Sequence, residues 1–265
     1  MSQIADAIQE RAYLALQIAL KAGALLRTGF GSSFSIREKE GRHNLVTDYD
    51  HLSEEMILSS LQKAFPHDRF LAEERGSFAS ATGEFEWVID PLDGTVNFAH
   101  TVPVFAVSIG CRHEGELSLG VIYQPITQEI FTAQKGKGAF LNGKRLQVTK
   151  TGSLREAIVG TGFPYNLAED PLHCIEKFSR VLKQGIPIRR LGAASIDLAY
   201  VADGRFDAFF EVVLQPWDLA AGALIVEEAG GKVTDWQGAP LNIDAHQPVL
   251  VSNGKIHAEL QKILT

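Results

Sequence analysis

The stretch Trp87-Val88-Ile89-Asp90-Pro91-Leu92-Asp93-Gly94-Thr95 is the part of the sequence that says most about the fold. Its three leading apolar residues predict a buried strand that carries Asp90 to its end, where Pro91 cannot continue the hydrogen-bond ladder. Asp93 follows three residues later, so one stiff turn holds two carboxylates. Because Mg²⁺ takes oxygen ligands, commonly one or two carboxylates together with a phosphate, this turn predicts a magnesium site.

The end of the same stretch has the residue types of an anion site. Gly94 allows the backbone to approach a ligand closely. The amides of Gly94 and Thr95 can face an anion, above all if Thr95 caps a short helix through Asn97. In isolation, Asp-Pro-Leu-Asp-Gly is more often a solvated turn, because these residues are ordinary turn formers. The apolar strand before it and the rest of the chain favour a site.

Length, composition and charge limit the class of protein. A chain of 265 residues with 45% hydrophobic and 22% charged residues has the make-up of a globular protein with a sizeable core. The net charge of −7 gives no indication of a basic surface for nucleic acid, so a nucleic-acid partner is not expected. An acidic protein that binds a phosphate ester needs cations to offset repulsion. The two cysteines cannot form a disulfide framework and suit a reducing compartment.

The amino-terminal segment, residues 4–30, is rich in alanine, leucine and isoleucine. Glu10, Arg11 and Lys21 interrupt it, and its apolar positions follow helical spacing. We therefore predict an amphipathic helix packed on a core, not a signal peptide or a membrane span. No membrane association is expected, and a cytoplasmic location is the default.

The rest of the chain shows two different patterns of predicted secondary structure. A helix is predicted after Thr47, Asp48 or Asp50, each of which can cap it, and short strands suited to antiparallel hairpins follow at 70–72, 85–89, 104–111, 117–123 and 130–133. Beyond the turn signals at 135–138 and 142–143, strands and helices alternate: strands at 157–160, 206–210, 232–234 and 249–251, and helices at 171–182, 193–202, 217–229 and 255–264. This pattern predicts one α/β domain, residues 1–265, with an α+β lobe over about 1–148 and an α/β lobe over about 149–265.

Carboxylates at four places in the sequence are candidates for one cleft. They are the pair Glu73-Glu74 after a short strand, Asp90 with Asp93, Asp50 before the second helix, and Asp218 at the start of an otherwise apolar helix. Asp218 has two readings at this point, as a ligand or as a residue that caps its helix and complements the helix dipole.

Two long motifs give the chain its resemblance to a known family. Residues 87–100, Trp-Val-Ile-Asp-Pro-Leu-Asp-Gly-Thr-Val-Asn-Phe-Ala-His, and residues 217–231, which open with Trp217-Asp218-Leu219-Ala220-Ala221-Gly222, resemble the two signature motifs of the inositol monophosphatase family. Shorter matches lie at 45–50, 73–74, 135–140 and 190–194. The likeness extends from about residue 4 to residue 265.

The resemblance implies a fold, an activity and a metal site. The family consists of magnesium-dependent, lithium-sensitive phosphatases with a layered α/β/α/β/α sandwich fold, and its members are commonly homodimeric. By resemblance, two or three Mg²⁺ ions are held by Glu73, Asp90, the Leu92 carbonyl, Asp93 and Asp218. Glu73 and Thr95 would orient or deprotonate the attacking water, and Asp50 would hold Thr95.

The resemblance also implies substrate contacts. Asp93, Gly94 and Thr95 would contact phosphate or polyol, together with Asp218, Glu211 and the backbone at Gly192, Ala193 and Ala194, and Lys39 is a possible phosphate-side lysine. Many relatives have a hydroxyl residue where Ala193 stands, so one polar contact is missing. The implied reaction is hydrolysis of a polyol monophosphate such as myo-inositol 1-phosphate.

Other reactions of the same type remain open at this stage. Relatives hydrolyse fructose 1,6-bisphosphate, histidinol phosphate or adenosine 3′,5′-bisphosphate. Thr95-Val96-Asn97-Phe98 resembles the inositol branch more than the nucleotide branch. A different class, a non-catalytic regulatory protein on the same fold, predicts eroded metal ligands, and all of them are present.

Overall fold

The computed structural model describes residues 2–39, 44–78 and 83–265. Its α-helices are α1 (Ser2–Gly29), α2 (Asp48–Ala64), α3 (Thr95–Ala99), α4 (Cys174–Leu182), α5 (Ala194–Ala202), α6 (Pro216–Glu228) and α7 (His257–Leu264). The strands are β1 (Ile36–Glu38), β2 (Leu45–Thr47), β3 (Arg69–Ala72), β4 (Gly76–Phe78), β5 (Phe85–Asp93), β6 (Ala106–His113), β7 (Glu116–Gln124), β8 (Glu129–Gln134), β9 (Gly138–Leu141), β10 (Lys144–Arg145), β11 (Val159–Thr161), β12 (Ile188–Arg189), β13 (Ala208–Glu211), β14 (Lys232–Thr234) and β15 (Val249–Ser252).

Two large sheets form the frame of the molecule. The first has eight strands in the order β10-β9-β8-β7-β6-β5-β3-β4, and the second has five in the order β12-β11-β13-β15-β14. Helices α1 and α2 cover one face of the first sheet, α5 and α6 lie between the two sheets, and α4 and α7 cover the far face of the second. These five layers are the α/β/α/β/α sandwich that the resemblance implied, so the predicted fold class is confirmed.

Small residues allow α6 to lie close to the first sheet. A Cβ atom at Gly110 would be 2.7 Å from the Ala220 Cβ, and one at Gly120 would be 2.7 Å from the Ala221 carbonyl oxygen. A side chain at Gly222 would meet Leu198 of α5 at 2.8 Å. Two alanines and one glycine at 220–222, together with Gly110 and Gly120 of the first sheet, therefore set the depth of α6 and the position of Asp218.

Most predicted elements are present, with three corrections. The strand β5 does not stop at Pro91, because it runs on to Asp93 through a register shift between Asp90 and Asp93. The strands of the first sheet are not all antiparallel hairpins, since β3 pairs with β5 in parallel. The helix predicted at 171–182 is a 3₁₀ turn, Pro171–His173, followed by α4, with positive φ at Leu172 and His173.

Some predictions were not tested or lie partly outside the described residues. The polar loop predicted at 37–44 includes residues 40–43, which lie outside them. The division into lobes near residue 148 stays a prediction. None of the helices in the described ranges is both long enough and apolar enough to cross a membrane.

Candidate functional site

The irregular end of β5 places two of the candidate carboxylates. Asp90 lies opposite Ser108 and Asp93 lies opposite Ala106, so Pro91 and Leu92 form a bulge that faces a single residue of β6. The Leu92 amide donates to Asp90 Oδ1 at 3.0 Å, and the Ser53 hydroxyl donates to the Pro91 carbonyl oxygen at 2.8 Å. Because the bulge needs no ladder donor at Pro91, the strand tolerates this proline and still delivers both carboxylates to one place.

A left-handed glycine begins the short helix that follows. Gly94 has φ of 89° and is the N-cap of α3, and a Cβ atom there would be 2.9 Å from the Val104 carbonyl oxygen. The prediction that Thr95 caps this helix is wrong, because Thr95 is its first helical residue. Its hydroxyl lies 2.8 Å from Asp50 Oδ1 and 3.0 Å from the Leu92 carbonyl oxygen.

Asp50 is held by the start of α2 and is therefore fixed where it meets Thr95. Its Oδ2 accepts hydrogen bonds from the Thr47 amide at 2.7 Å and the Thr47 hydroxyl at 2.6 Å, in a capping box. Burial raises the pKa of Asp50 to about 7, against these hydrogen bonds. The Asp50–Thr95 contact that the resemblance implied is present, and its catalytic role stays a prediction.

Asp218 occupies the first turn of α6, where it caps the helix, and its role as a ligand stays a prediction. The Gln215 amide donates to Asp218 Oδ2 at 2.8 Å, which is the capping interaction. Asp218 also lies in a cluster of three carboxylates. One oxygen each of Asp90, Asp93 and Asp218 lies within 4.8 Å of the other two. A single carboxylate thus caps its helix and contributes to the acidic cluster.

The three carboxylates repel one another in a buried space. Burial raises the pKa of Asp90 well above its usual value, and the charges of Glu73, Asp93 and Asp218 raise it further. Burial and the charge of Asp93 both raise the pKa of Asp218. Burial also raises the pKa of Asp93, to about 6. A divalent cation among these oxygens removes the repulsion, and an all-carboxylate donor set suits a hard ion such as Mg²⁺. The acidic cluster therefore fits a metal site.

Glu73 lies beside this cluster but is not part of it. Lys39 Nζ lies 2.8 Å from Glu73 Oε1 and also binds Glu74. Burial acts to lower the pKa of Lys39, but attraction to the two glutamates outweighs it and raises that pKa. The predicted phosphate-side lysine is thus brought to the site, where it pairs with the predicted metal ligand Glu73.

The amino end of α5 holds Asp93 through Ala194, whose backbone was expected at the substrate, and through Ser195, which sequence reasoning missed. Asp93 accepts hydrogen bonds from the Ala194 amide at 3.2 Å, the Ser195 amide at 2.8 Å and the Ser195 hydroxyl. Asn97 ties the first motif to the same loop, since its Nδ2 donates to the Leu191 carbonyl at 2.9 Å. A serine at the start of a predicted helix was the available signal for Ser195.

Glu211 ends β13 on the other side of the cleft. Burial raises its pKa to about 8, while Arg190 acts to lower it and Asp93 to raise it. Nearby Asp197 is also buried, and its Oδ1 has no hydrogen-bond partner among the residues that the structure describes. The second sheet and α5 therefore bring further carboxyl groups toward Asp93, and the sequence reasoning had not identified Asp197.

Comparisons with known proteins agree with this architecture. The family model described as "Inositol monophosphatase family" matches residues 7–265. The Nus factor SuhB of Pseudomonas aeruginosa is 46% identical over 233 residues, which cover 85% of each protein. The inositol-1-monophosphatase of Caulobacter vibrioides is 41% identical over 250 residues, 92% of this chain and 97% of that protein.

A solved structure shows the same similarity in three dimensions. The extragenic suppressor protein suhB from Bartonella henselae superposes with a TM-score of 0.90 at 38% identity, covering 96% of this chain and 97% of that one. The match of the family model extends over nearly the whole chain and includes both motifs that form the acidic cluster. The chain therefore belongs to the inositol monophosphatase family.

Proposed function

We propose that this protein is a magnesium-dependent phosphatase that hydrolyses monophosphate esters of small polyols, with myo-inositol 1-phosphate as the expected substrate. The observation that carries the proposal is the group of Asp90, Asp93 and Asp218, two of them buried and the third half-buried, with one oxygen of each within 4.8 Å of the others. Buried carboxylates that raise one another's pKa are costly to the fold, and such groups are concentrated at functional sites.

Five groups are proposed to hold the magnesium ions: Glu73, Asp90, the Leu92 carbonyl, Asp93 and Asp218. Bound Mg²⁺ supplies Lewis acidity, which lowers the pKa of water and stabilises negative charge on the ester oxygens. The Leu92 carbonyl oxygen also accepts a hydrogen bond from the Thr95 hydroxyl at 3.0 Å. The bulge in β5 therefore orients the Leu92 carbonyl and the Thr95 hydroxyl together.

Thr95 and Glu73 are proposed to act on the attacking water. Asp50 keeps the Thr95 hydroxyl in place through the 2.8 Å hydrogen bond. Glu73 would accept a proton from the water as the new phosphorus–oxygen bond forms and the ester bond breaks, and the leaving oxygen of the polyol would take up a proton from solvent water. Because phosphoryl transfer needs little covalent assistance, positioning and neutralisation of charge supply most of the catalysis.

Recognition of phosphate and polyol is proposed to involve both sheets. The amides of Gly94 and Thr95 and the Lys39 ammonium face the phosphate. Glu211, Asp93 and the backbone of residues 192–194 accept or donate hydrogen bonds at the polyol. Ser195, two residues after Ala193, uses its hydroxyl to hold Asp93.

The experiment is phosphate release from four esters with and without Mg²⁺: inositol 1-phosphate, fructose 1,6-bisphosphate, histidinol phosphate and adenosine 3′,5′-bisphosphate. Release that requires Mg²⁺ and is fastest with inositol 1-phosphate is the expected result. A clear preference for another ester would keep the phosphatase and change its substrate. A folded protein that releases phosphate from none of them would contradict the proposal.

The names of several relatives favour a second candidate function. The Pseudomonas aeruginosa protein, 46% identical to this chain, carries the name Nus factor SuhB. We propose that this chain also serves as a Nus factor, alongside hydrolysis. The test is complementation of a bacterial strain that lacks its own SuhB. Restoration by both the wild type and Asp93→Asn would support a role independent of catalysis, and failure of the wild type would contradict it.

A further inference from the structure

A turn after β11 carries an aromatic side chain to which neither the resemblance nor the proposal above gives a role. Tyr165 is 58% exposed, which is unusual for so large a side chain. Among the described residues, no group forms a hydrogen bond with its hydroxyl. A phenol combines an apolar face with a polar tip, so an exposed tyrosine at a cleft can contact both parts of a polyol.

The path of the chain brings this turn to Glu211. Strand β11 pairs in parallel with β13, and Thr161 lies opposite Phe210. The carboxyl ends of parallel strands meet at one edge of a sheet, so residue 162 leaves β11 where Glu211 ends β13. The contact is close enough that a Cβ atom at Gly162 would be 2.0 Å from Glu211 Oε2. Only glycine therefore lets the turn start against this carboxyl group.

The turn is fixed on both sides of Tyr165. Before it, Phe163 packs on Phe178 of α4 in an edge-to-face arrangement with ring centroids 5.2 Å apart. After it, the Leu167 amide donates to the Pro164 carbonyl oxygen at 3.1 Å and closes the turn. Tyr165 lies at the tip between these anchors, so little backbone freedom remains to be lost when its side chain meets a ligand.

The charged groups of the site act on the Tyr165 phenol. Partial desolvation of its hydroxyl raises the pKa of Tyr165 to about 12, and the charges of Glu73, Asp218 and Asp93 raise it further. Lys39 acts in the opposite direction. These four groups belong to the acidic cluster and its neighbours, in agreement with the contact between the start of the turn and Glu211, and the raised pKa keeps the Tyr165 hydroxyl a protonated donor.

On the basis of the function proposed above, we propose that Tyr165 is a specificity-determining residue for the polyol part of the substrate. Its hydroxyl donates a hydrogen bond to a ring hydroxyl, and its ring packs against the carbon face of the same ring. Together with Glu211 below the turn, it forms a two-sided polyol subsite. No chemical step is assigned to it.

The test compares Tyr165→Phe and Tyr165→Ala with the wild type on two esters, the cyclic inositol 1-phosphate and the acyclic glycerol 2-phosphate. Loss of one hydrogen bond predicts that Tyr165→Phe raises KM for inositol 1-phosphate about threefold to tenfold with kcat nearly unchanged. Tyr165→Ala should raise it further, and glycerol 2-phosphate should be affected less by both. Tyr13→Phe, at a 67% exposed tyrosine on α1, is the matched control.

The outcomes separate this inference from the proposed function. Wild-type KM in Tyr165→Phe and Tyr165→Ala would overturn the role of Tyr165 and leave the phosphatase standing. Equal losses on both esters would also overturn it, because the contact would then be to the shared phosphate. If the wild type hydrolyses neither ester, calorimetric binding of inositol 1-phosphate in Mg²⁺ replaces KM. A weaker Kd in the variants would then support the subsite without the phosphatase, and unchanged or absent binding would overturn both.

Discussion

The two ends of β5 differ in how they bury charge. Near its start, Asp68 accepts hydrogen bonds from Arg11 Nε and Nη2 at 2.9 and 2.7 Å and from Trp87 Nε1 at 2.9 Å. At its other end, Asp90 and Asp93 share a buried space with a third carboxylate, Asp218. The first carboxylate is paired by the protein itself, whereas the cluster lacks a matching cation among the described side chains within it.

The difference separates a structural use of charge from a functional one. The Arg11 guanidinium also lies 3.7 Å and 4.1 Å from the ring centroids of Phe85 and Phe65, so the Asp68 pair is enclosed in the core. Removal of either partner would leave the other as an unpaired charge in the core, so the stability of the fold depends on the intact pair. The cluster is kept although it opposes folding, which is expected of groups selected for binding or catalysis.

The largest predicted effect is on catalysis at the unpaired end. Asp93→Asn should reduce kcat/KM by more than about 10³-fold, equivalent to about 4 kcal/mol, because a proposed metal ligand loses its charge. The fold should survive, since the change also removes one of three repelling charges. Phosphate release and thermal melting measure the two effects. Glu116→Gln, at an exposed carboxylate, is the control, and near-normal turnover by Asp93→Asn would contradict the metal assignment.

The paired end should respond in the opposite way. Asp68→Asn should lower the free energy of unfolding by about 3 kcal/mol, because Arg11 keeps its charge in the core without its partner. The activity of the protein that remains folded should be unchanged. Urea unfolding followed by circular dichroism measures the loss. If Arg11→Met combined with Asp68→Leu were no more stable than Asp68→Asn, the unpaired charge would not be the cause.

Stabilisation of the protein by Mg²⁺ should depend on the acidic cluster and not on the Arg11–Asp68 pair. At a concentration of 100 times its Kd, a cation that binds only the folded state adds about 2.7 kcal/mol of stability. We expect Mg²⁺ to raise Tm by several degrees in the wild type and in Asp68→Asn, with reversal by EDTA. Asp93→Asn should lose most of the shift. An equal shift in Asp93→Asn would place the stabilising ion away from the cluster.

A third buried titratable group has neither a charged partner nor a proposed ligand. His257 lies 2.8 Å from both the Thr234 and Ser252 hydroxyl oxygens, and burial lowers its pKa to about 4. The unfolded chain, with a histidine pKa near 6.5, then binds the proton first as the pH falls. Stability is therefore full above about pH 6.5 and is lost toward pH 4, by about 2 kcal/mol at pH 5.

The contribution of this histidine is read from the pH dependence and not from absolute stability. The free energy of unfolding at pH 7 minus that at pH 5 should shrink in His257→Gln, whose amide keeps polar contacts without titrating. The control is His246→Gln, a change at an exposed histidine, which should keep the wild-type difference between pH 7 and pH 5. An unchanged difference in His257→Gln would show that His257 does not contribute to the acid sensitivity, and the site carboxyls, whose pKa values are raised, act in the opposite direction.

The sequence was most informative where function and local structure depend on neighbouring residues. The segment from Trp87 to Thr95 predicted a buried strand with two carboxylates at its end, because a run of apolar residues, proline and glycine act locally. It did not predict that β5 continues through Pro91, since the bulge is defined by its pairing with β6. The Lys39–Glu73 pair and the hold of Ser195 on Asp93 join residues far apart in the chain, so spacing carried no sign of them.

The smallest predicted effect tests whether the cleft beyond the cluster selects the substrate. Glu211 is buried, and burial raises its pKa to about 8. We expect the polyol hydroxyls to bind its ionised form, which accepts their hydrogen bonds. Glu211→Gln keeps the size and a donor but loses the charge available when the group ionises. We expect about a tenfold lower kcat/KM on inositol 1-phosphate, about 1.4 kcal/mol, with little change on glycerol 2-phosphate. Equal losses on both esters, together with a changed dependence on Mg²⁺, would instead link Glu211 to the acidic cluster through Asp93.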